Sequence, residues 1–379
     1  MANSKSNAKT VTLGNVPSVN VGQAVGKLSN MYCSVIGADA AGIGVLPSVM
    51  MWGAPGVGKS QGVRQIGEQI EAATGKSVHI TDVRLLLFNP IDLRGIPTAS
   101  EDKTLAVWLR PQIFDMDPAD DVVNILFLDE ISAAPPSVQA AAYQIALDRT
   151  VGEHRLPANC IVIAAGNRVT DKSVAYKMPK ALANRLLHLE VYADPQSWRA
   201  WAVSHGINEQ VTGFLSFKPD MLMAFEPTKD DMAFPTPRVW EMVSNLLNHV
   251  NRDINEMFTL IAGLVGSGAA AELRTWSRVY DNLPDVEGIF AGTEHRVPKG
   301  TDVLYALVSS MAKYASMHRD DMDAIARSIR YAEKLPADFS VVLMQDYLNL
   351  EKDYQQKLMM VPDFVKWMRN KGALLNGVM

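Results

Sequence analysis

The sequence predicts an α/β core, a parallel β-sheet with helices on both faces, followed by an all-α half. Three observations carry that prediction. Between residues 48 and 192, short continuous apolar runs alternate with stretches of helical periodicity, the pattern of strands buried on both faces. After Ala193 the apolar spacing is helical only. Between the first strand pattern and the helix after it stands the octapeptide Gly53-Ala54-Pro55-Gly56-Val57-Gly58-Lys59-Ser60, which fits G-x-x-x-x-G-K-[ST], a phosphate-binding loop that requires a strand before it and a helix after it.

Taken in order, residues 1–20 read as a flexible lead: polar through Thr12, with Lys5 and Lys9, and without the apolar core of a secretion signal. Val21–Ile36 places Ala24, Leu28, Met31 and Val35 on one helical face. The predicted strands are Val49–Trp52, Val78–Val83, Ile125–Leu128, Ile161–Ala165 and Leu186–Val191. Gln61–Ile70 is a helix on the spacing of Val63, Ile66 and Ile70. In the second half, Gln196–Ser204 and Arg238–Val250 are helices, and a Gly/Pro-rich joint runs through Asn282–Gly300. Helices resume at Asp302–Met317, Asp321–Leu335, Ser340–Leu350 and Asp363–Lys371. The expected organisation is a lead at 1–20, an α/β core at 21–192, a helical domain at 193–315 and a C-terminal helical extension at 316–379.

Composition narrows the function classes. The 379 residues are 48% hydrophobic, with a net charge of −5 at pH 7, so no global basic field attracts nucleic acid. No apolar run approaches the roughly 20 residues of a membrane helix, and a cytoplasmic setting is expected. Cys33 and Cys160 form neither a metal spacing nor a disulfide framework. The histidines, at 79, 154, 188, 205, 249, 295 and 318, form no H-E-x-x-H, and no G-x-S-x-G elbow is present. His188, alternating with leucines, reads as a satisfied core or surface side chain. The scattered methionines read as core filler.

The candidate chemistry sits at strand ends. In the octapeptide, glycines let consecutive N–H groups face one anion. Lys59 would reach β- and γ-phosphates, Ser60 would ligate Mg²⁺, and the helix that starts there, through Gln61, turns its positive end to the phosphates. Ile125-Leu126-Phe127-Leu128-Asp129-Glu130 ends an apolar strand in two carboxylates: Asp129 for Mg²⁺ and Glu130 to polarise an attacking water. Alone, such a pair is equally a solvated strand end. Asn167, after Ala164-Ala165-Gly166, is placed either to hydrogen-bond γ-phosphate and water or to serve as a turn residue. Arg238 follows the N-cap Thr236 and Pro237, a position unfavourable for a cation, unless arginine and helix terminus share a phosphate. Arg185, from spacing alone, is a solvated arginine at a sheet edge.

Together these pieces resemble the AAA+ ATPases, and within them the MoxR-like group, over roughly residues 45–315. The resemblance rests on GAPGVGKS at 53–60, Asp92-Leu93-Arg94-Gly95, Arg110-Pro111, LDEISAAPPSVQ at 128–139, AAGN at 164–167, ALANRL at 181–186 and TPR at 236–238. It implies ATP and Mg²⁺ as ligands, and an AAA+ core followed by a helical lid at 193–315. It makes Asn167 the sensor-1 residue, Arg238 sensor 2, and Arg185 an arginine finger acting on a neighbouring subunit, with Arg149 a second candidate for that contact. A finger in trans implies a head-to-tail ring, in the family a homo-hexamer. Relatives carry an insert before the acidic strand, which the resemblance places here at Asn89–Leu109 as a hairpin shaped by Gly95, Pro97 and Trp108; it would face substrate or partner. The family also implies a remodelled protein client and a von Willebrand factor A domain partner. Two positions depart from the pattern: Ser132-Ala133 replaces a common Asn-Arg, and Asn184 replaces a common acid. Two other readings compete. A nucleic-acid motor would need a basic insert, whereas 89–109 mixes Arg94 and Lys103 with Asp92, Glu101 and Asp102. An ATP-bound scaffold with little turnover would not need Glu130, Asn167 and Arg185 together.

Overall fold

A computed structural model describes residues 13–36, 42–171, 176, 178–228, 230–351 and 354–377. The chain divides into two compact units, the first ending at Tyr192 and the second beginning at Ala193; Pro227 and Thr228 group with the first.

The first unit runs β1 (Ser18–Asn20), α1 (Val21–Ile36), β2 (Val49–Trp52), α2 (Lys59–Thr74), β3 (Ser77–Arg84), α3 (Pro90–Arg94), β4 (Ile96–Ala99), β5 (Ala106–Leu109), β6 (Val122–Asp129), α4 (Pro136–Asp148), β7 (Thr150–Val151), β8 (His154–Arg155), β9 (Cys160–Gly166), α5 (Lys180–Ala183) and β10 (Leu187–Tyr192). Among the described residues, six strands form one sheet in the order β1-β10-β2-β9-β6-β3, every neighbouring pair parallel. Burial on both faces explains why β2, β6 and β9 read as unbroken apolar runs. On one face Met50, Leu126, Leu128, Val162 and Ala164 pack with Val138, Ala142 and Ile145 of α4. The other face is covered by α1 and α2, which bury Ala24, Val25, Leu28, Val63, Ile66 and Ile70.

The expected strands all form, most with longer ends: β6 starts at Val122 and β3 ends at Arg84. The hairpin expected at 89–109 is β4–β5, antiparallel, preceded by α3. Three expectations need correction. The last residues of the supposed flexible lead are β1, which pairs Ser18 with Glu190, Val19 with Val191 and Asn20 with Tyr192. Residues 1–12 of that lead lie outside the described residues. The cause is a buried carboxylate: Glu190 accepts from Leu13 N at 3.1 Å and Ser18 Oγ at 3.0 Å, and pairs with Arg168 at 2.7 Å. Composition could not show that contact, because its partner lies 172 residues away in sequence. The joint at Asn282–Gly300 contains a helix, Val286–Ala291, which buries Ile289 and Phe290. The expected division at 315/316 falls inside the second unit.

That unit comprises α6 (Pro195–Ser204), α7 (Glu209–Phe217), α8 (Pro237–His249), α9 (Ile254–Val265), α10 (Ser267–Ser277), α11 (Val286–Ala291), α12 (Thr301–Met317), α13 (Met322–Ala332), α14 (Ala337–Leu348), α15 (Tyr354–Met359) and α16 (Pro362–Lys371). Side chains of Asp194, Asn208, Thr236, Asp253 and Asp321 cap the helices that follow them, each satisfying an amide the first turn leaves open. One apolar cluster gathers α6–α10 and another α11–α16. α12 feeds both, Ala306 to the first and Leu307, Val308 and Met311 to the second, so no boundary separates residues 193–315 from 316–379.

Candidate functional site

The octapeptide lies between β2 and α2 in the first unit. Gly53 must be glycine: a Cβ there would stand 2.5 Å from Val191 O of the neighbouring strand. Gly58 has φ 107° and caps α2 without any side-chain bond, so the first amides of the helix face outward with the positive end of its dipole. Ala54 and Val57 are buried, while Pro55, Gly56 and Gln61 are half-buried.

Lys59 is buried, and its ammonium is collected by the loop itself. Nζ donates to Gly53 O at 2.6 Å, Ala54 O at 3.0 Å and Asn167 Oδ1 at 3.0 Å. The last bond joins the loop to the end of β9, where Asn167 was expected to act. With Oδ1 held by Lys59, the amide of Asn167 is left with its Nδ2 donor for another acceptor. Ser60 Oγ donates to Asp129 Oδ2 at 2.9 Å, bridging α2 to β6. Hydroxyl and carboxylate are oxygen ligands of the kind a magnesium ion takes, and the two already converge. Among the described residues no group of three or more His, Cys, Asp or Glu side chains could hold a metal, so magnesium here would draw its remaining ligands from phosphate and water.

Glu130 is exposed and has φ 59°, a left-handed conformation rare for a side-chain-bearing residue. Its N–H donates to Asp129 Oδ1 at 2.8 Å, which holds the turn. Strain of this kind collects at functional sites. Nearby on β3, burial and, after it, the negative charge of Asp129 raise the Asp82 carboxyl above its ordinary value, against Arg84 and Arg64.

Several contributors were not foreseen. Ser132, one of the two departures from the family pattern, accepts Asn167 N–H on its Oγ at 2.9 Å and is buried, so it fixes the backbone at Asn167. Arg168, next to Asn167, is engaged by Asp171 at 2.8 Å and Glu190 at 2.7 Å. Neither was legible: Asn167 lies 35 residues from Ser132, and Glu190 lies 22 residues from Arg168. Arg149 has φ 53° and gives its guanidinium to Cys160 O at 2.6 Å and Leu46 O at 3.2 Å, bonds within its own chain.

Arg185 is exposed, between α5 and β10. Parallel pairing sets Leu187 against Val49 and Glu190 against Trp52, so Arg185 lies at the N-terminal edge of the sheet. The octapeptide, Asp129 and Asn167 lie at the C-terminal edge. Arg185 is therefore not brought to its own loop. Arg238 stands in the second unit, exposed in the first turn of α8, with Thr236 Oγ1 accepting Val239 N–H at 3.2 Å. His188 is satisfied, as expected: Trp52 Nε1 donates to its Nδ1 at 2.9 Å, and its Nε2 meets Ala183 O at 2.7 Å. Among the described residues, no helix is long and apolar enough to cross a membrane.

Residues 48–188 match the model of the ATPase family associated with various cellular activities (AAA). That segment contains every residue placed above at the strand ends. No protein of curated function matches the sequence. Among solved structures, PCH-2 of C. elegans is 10% identical with a TM-score of 0.35, covering 67% of this chain and 67% of its own. A putative ATPase of Cytophaga hutchinsonii is 15% identical with a TM-score of 0.30, covering 86% of this chain and 92% of its own. A point mutant of Thermotoga maritima RuvB is 13% identical with a TM-score of 0.34, covering 77% and 84%.

Proposed function

We propose that the chain is an AAA+ ATPase that binds ATP with magnesium, hydrolyses it at the interfaces of a homo-hexameric ring, and uses the cycle to remodel a protein client; the match of residues 48–188 to the AAA family supports the first step. The observation that carries the proposal is the pair of bonds from Lys59 Nζ to Asn167 Oδ1 and from Ser60 Oγ to Asp129 Oδ2. Together they set loop, sensor and acidic strand end around one position. The sequence resemblance points to a MoxR-like member with a von Willebrand factor A domain partner.

In this reading Lys59 exchanges its carbonyl acceptors for phosphate oxygens, and the amides at the start of α2 hold the same anion. Magnesium at Ser60 and Asp129 would neutralise charge shared by the β- and γ-phosphates. The Glu130 carboxylate takes a proton from the attacking water as its oxygen bonds to the γ-phosphorus. The bond from that phosphorus to the ADP oxygen breaks, giving ADP and phosphate. Asn167 orients the water and the transferring group. Arg238 is the sensor-2 arginine and adds to nucleotide affinity. Arg185, at the far edge of the sheet from its own loop, serves the neighbouring protomer, which is what makes a head-to-tail ring necessary.

Phosphate release tests the proposal. Lys59→Ala should bind no ATP by calorimetry, and Glu130→Gln should bind it but turn over about a hundredfold more slowly or worse. Equal release by wild type and Glu130→Gln would leave an ATP-bound scaffold as the better reading. Partners retained by Glu130→Gln in ATP would identify the client.

A further inference from the structure

Trp52 is the last residue of β2 and directly precedes Gly53. Its indole N–H donates to His188 Nδ1 at 2.9 Å, and the two rings lie within 16° of parallel. An imidazole that accepts on Nδ1 carries its proton on Nε2 when neutral. That proton is directed at Ala183 O, 2.7 Å away. Ala183 is the last residue of α5, two before Arg185, and its carbonyl also accepts Leu186 N–H at 3.2 Å. Arg185 N–H in turn donates to Leu182 O at 3.1 Å. One rigid ring thus spans from the root of the phosphate loop to the turn that displays Arg185.

Packing alone does not ask for histidine here. His188 shares a sheet face with Met50, and Leu182 and Ala183 pack into the same apolar cluster. Leucine would suit such a position. The histidine instead spends both ring nitrogens in opposite directions, one on each functional element. With both engaged, the ring has a single orientation, and a shift of the Trp52 indole is passed to the Ala183 carbonyl.

We propose that His188 is a positioning residue that ties the Arg185 turn to the root of the phosphate loop, so that its effect on catalysis falls in the neighbouring protomer rather than in its own. The proposal rests on the reading of Arg185 as a finger acting in trans. It goes beyond that reading by saying what holds the finger and to which element it is linked.

Mixed assemblies separate the two claims. Arg185→Ala protomers retain a phosphate loop and lack the finger; Lys59→Ala protomers retain the finger and lack ATP binding. Each alone should be inactive, and a mixture should hydrolyse ATP at interfaces where a Lys59→Ala protomer serves an Arg185→Ala protomer. His188→Leu is then added to one partner at a time. On the Lys59→Ala protomer it should lower turnover of the mixture about ten- to a hundredfold, the scale of a misplaced catalytic group. On the Arg185→Ala protomer it should leave turnover within about twofold, because that chain's finger is already absent. His188→Gln, which keeps a donor near the Nε2 position, should recover most of the loss on the finger-donating side. Trp52→Phe, which keeps the ring and removes the N–H, should reproduce part of the His188→Leu effect with the same asymmetry.

Equal losses on both partners would mark a general packing defect and overturn the proposal, as would no loss on either. An inactive parent mixture of correctly assembled rings would instead refute the trans finger, and the proposal would fall with it. Thermal melting of each variant guards the comparison: a His188→Leu chain that does not fold is replaced by Trp52→Phe, for which the same two outcomes decide.

Discussion

Replacing Arg168 by Met should strongly destabilise the first unit. The guanidinium touches Asp171 at 2.8 Å and Glu190 at 2.7 Å, with side-chain exposures of 14% for the arginine, 2% for the aspartate and 1% for the glutamate. Removing the cation leaves two buried carboxylates without their charge partner, a loss of about 3–5 kcal/mol when one member of a buried pair is deleted. In a unit of this size 1 kcal/mol moves Tm by about 2–4 °C, so the expected fall is about 6–20 °C. Glu190 also accepts from Leu13 N and Ser18 Oγ, so hydrogen exchange at β1 should accelerate before the rest of the sheet. Asn167 precedes Arg168, and turnover should fall even below the melting range. Scanning calorimetry and amide exchange read both effects. Adding Glu190→Gln to Arg168→Met should restore about 1–2 kcal/mol, because it removes one uncompensated charge. A Tm within about 3 °C of wild type for Arg168→Met would refute the reasoning, since the pair would then behave like an exposed one.

Three further outcomes are expected. Glu130→Gly should abolish turnover while raising stability by about 1 kcal/mol, because glycine adopts φ 59° without the steric cost a side chain carries; equilibrium denaturation checks the sign. Ser132→Ala should lower kcat and stability together, by about 1–3 kcal/mol for the latter, because Asn167 N–H loses its buried acceptor; a variant with unchanged melting and unchanged kcat would place that amide elsewhere. Burial raises the Cys160 thiol to about 12, so at pH 8 it stays protonated and unreactive. Cys33 is also raised by burial but is half-exposed. A thiol reagent should therefore label Cys33 slowly in the native protein, Cys160 not at all, and both after unfolding.

The legible part of this protein is the part written in local patterns. β2, β6 and β9 are continuous apolar runs because both faces of a parallel sheet are covered, and the glycines at 53 and 58 announce a backbone that side chains cannot follow. Caps such as Thr236 and Asp321 name the starts of α8 and α13 from single residues. What stayed hidden depends on partners far apart in sequence. β1 is three residues long and has no pattern to find; it is a strand by pairing with β10, beside which Glu190 holds Leu13 and Ser18. Ser132 and His188 look ordinary until β9 and β2 are brought beside them. Arg149 is a candidate through the resemblance alone, and its bonds go to two backbone carbonyls of its own chain.

The order of strands explains why the chemistry gathers as it does. β2 lies between β9 and β10. On the β9 side, register sets Trp52 against Gly166, which places Asn167 beside the loop and within 3.0 Å of Lys59 Nζ. β6 follows β9, with Leu128 against Ala164, so Asp129 reaches the same edge and meets Ser60. All three strands run in one direction, and so all three deliver their C-terminal ends to one edge, where open parallel sheets bind ligands. On the β10 side the same parallel sense has the opposite consequence for Arg185. That residue enters its strand and does not leave it, so it stands at the edge where β2 begins. Arg185, placed before a strand of the sheet, is thereby kept from its own loop by the length of β2, about 13 Å for four residues. Among the described residues, Trp52–His188–Ala183 is a side-chain link across that length. A one-residue slip of β10 would turn His188 to the other face, and with it Glu190, whose carboxylate pairs with Arg168 beside Asn167. Inserting one residue between Arg185 and His188, with Glu190 kept in register against Trp52, should leave ATP binding intact and lower ATP turnover; loss of ATP binding in that insertion variant would show that the turn before β10 also shapes the loop itself.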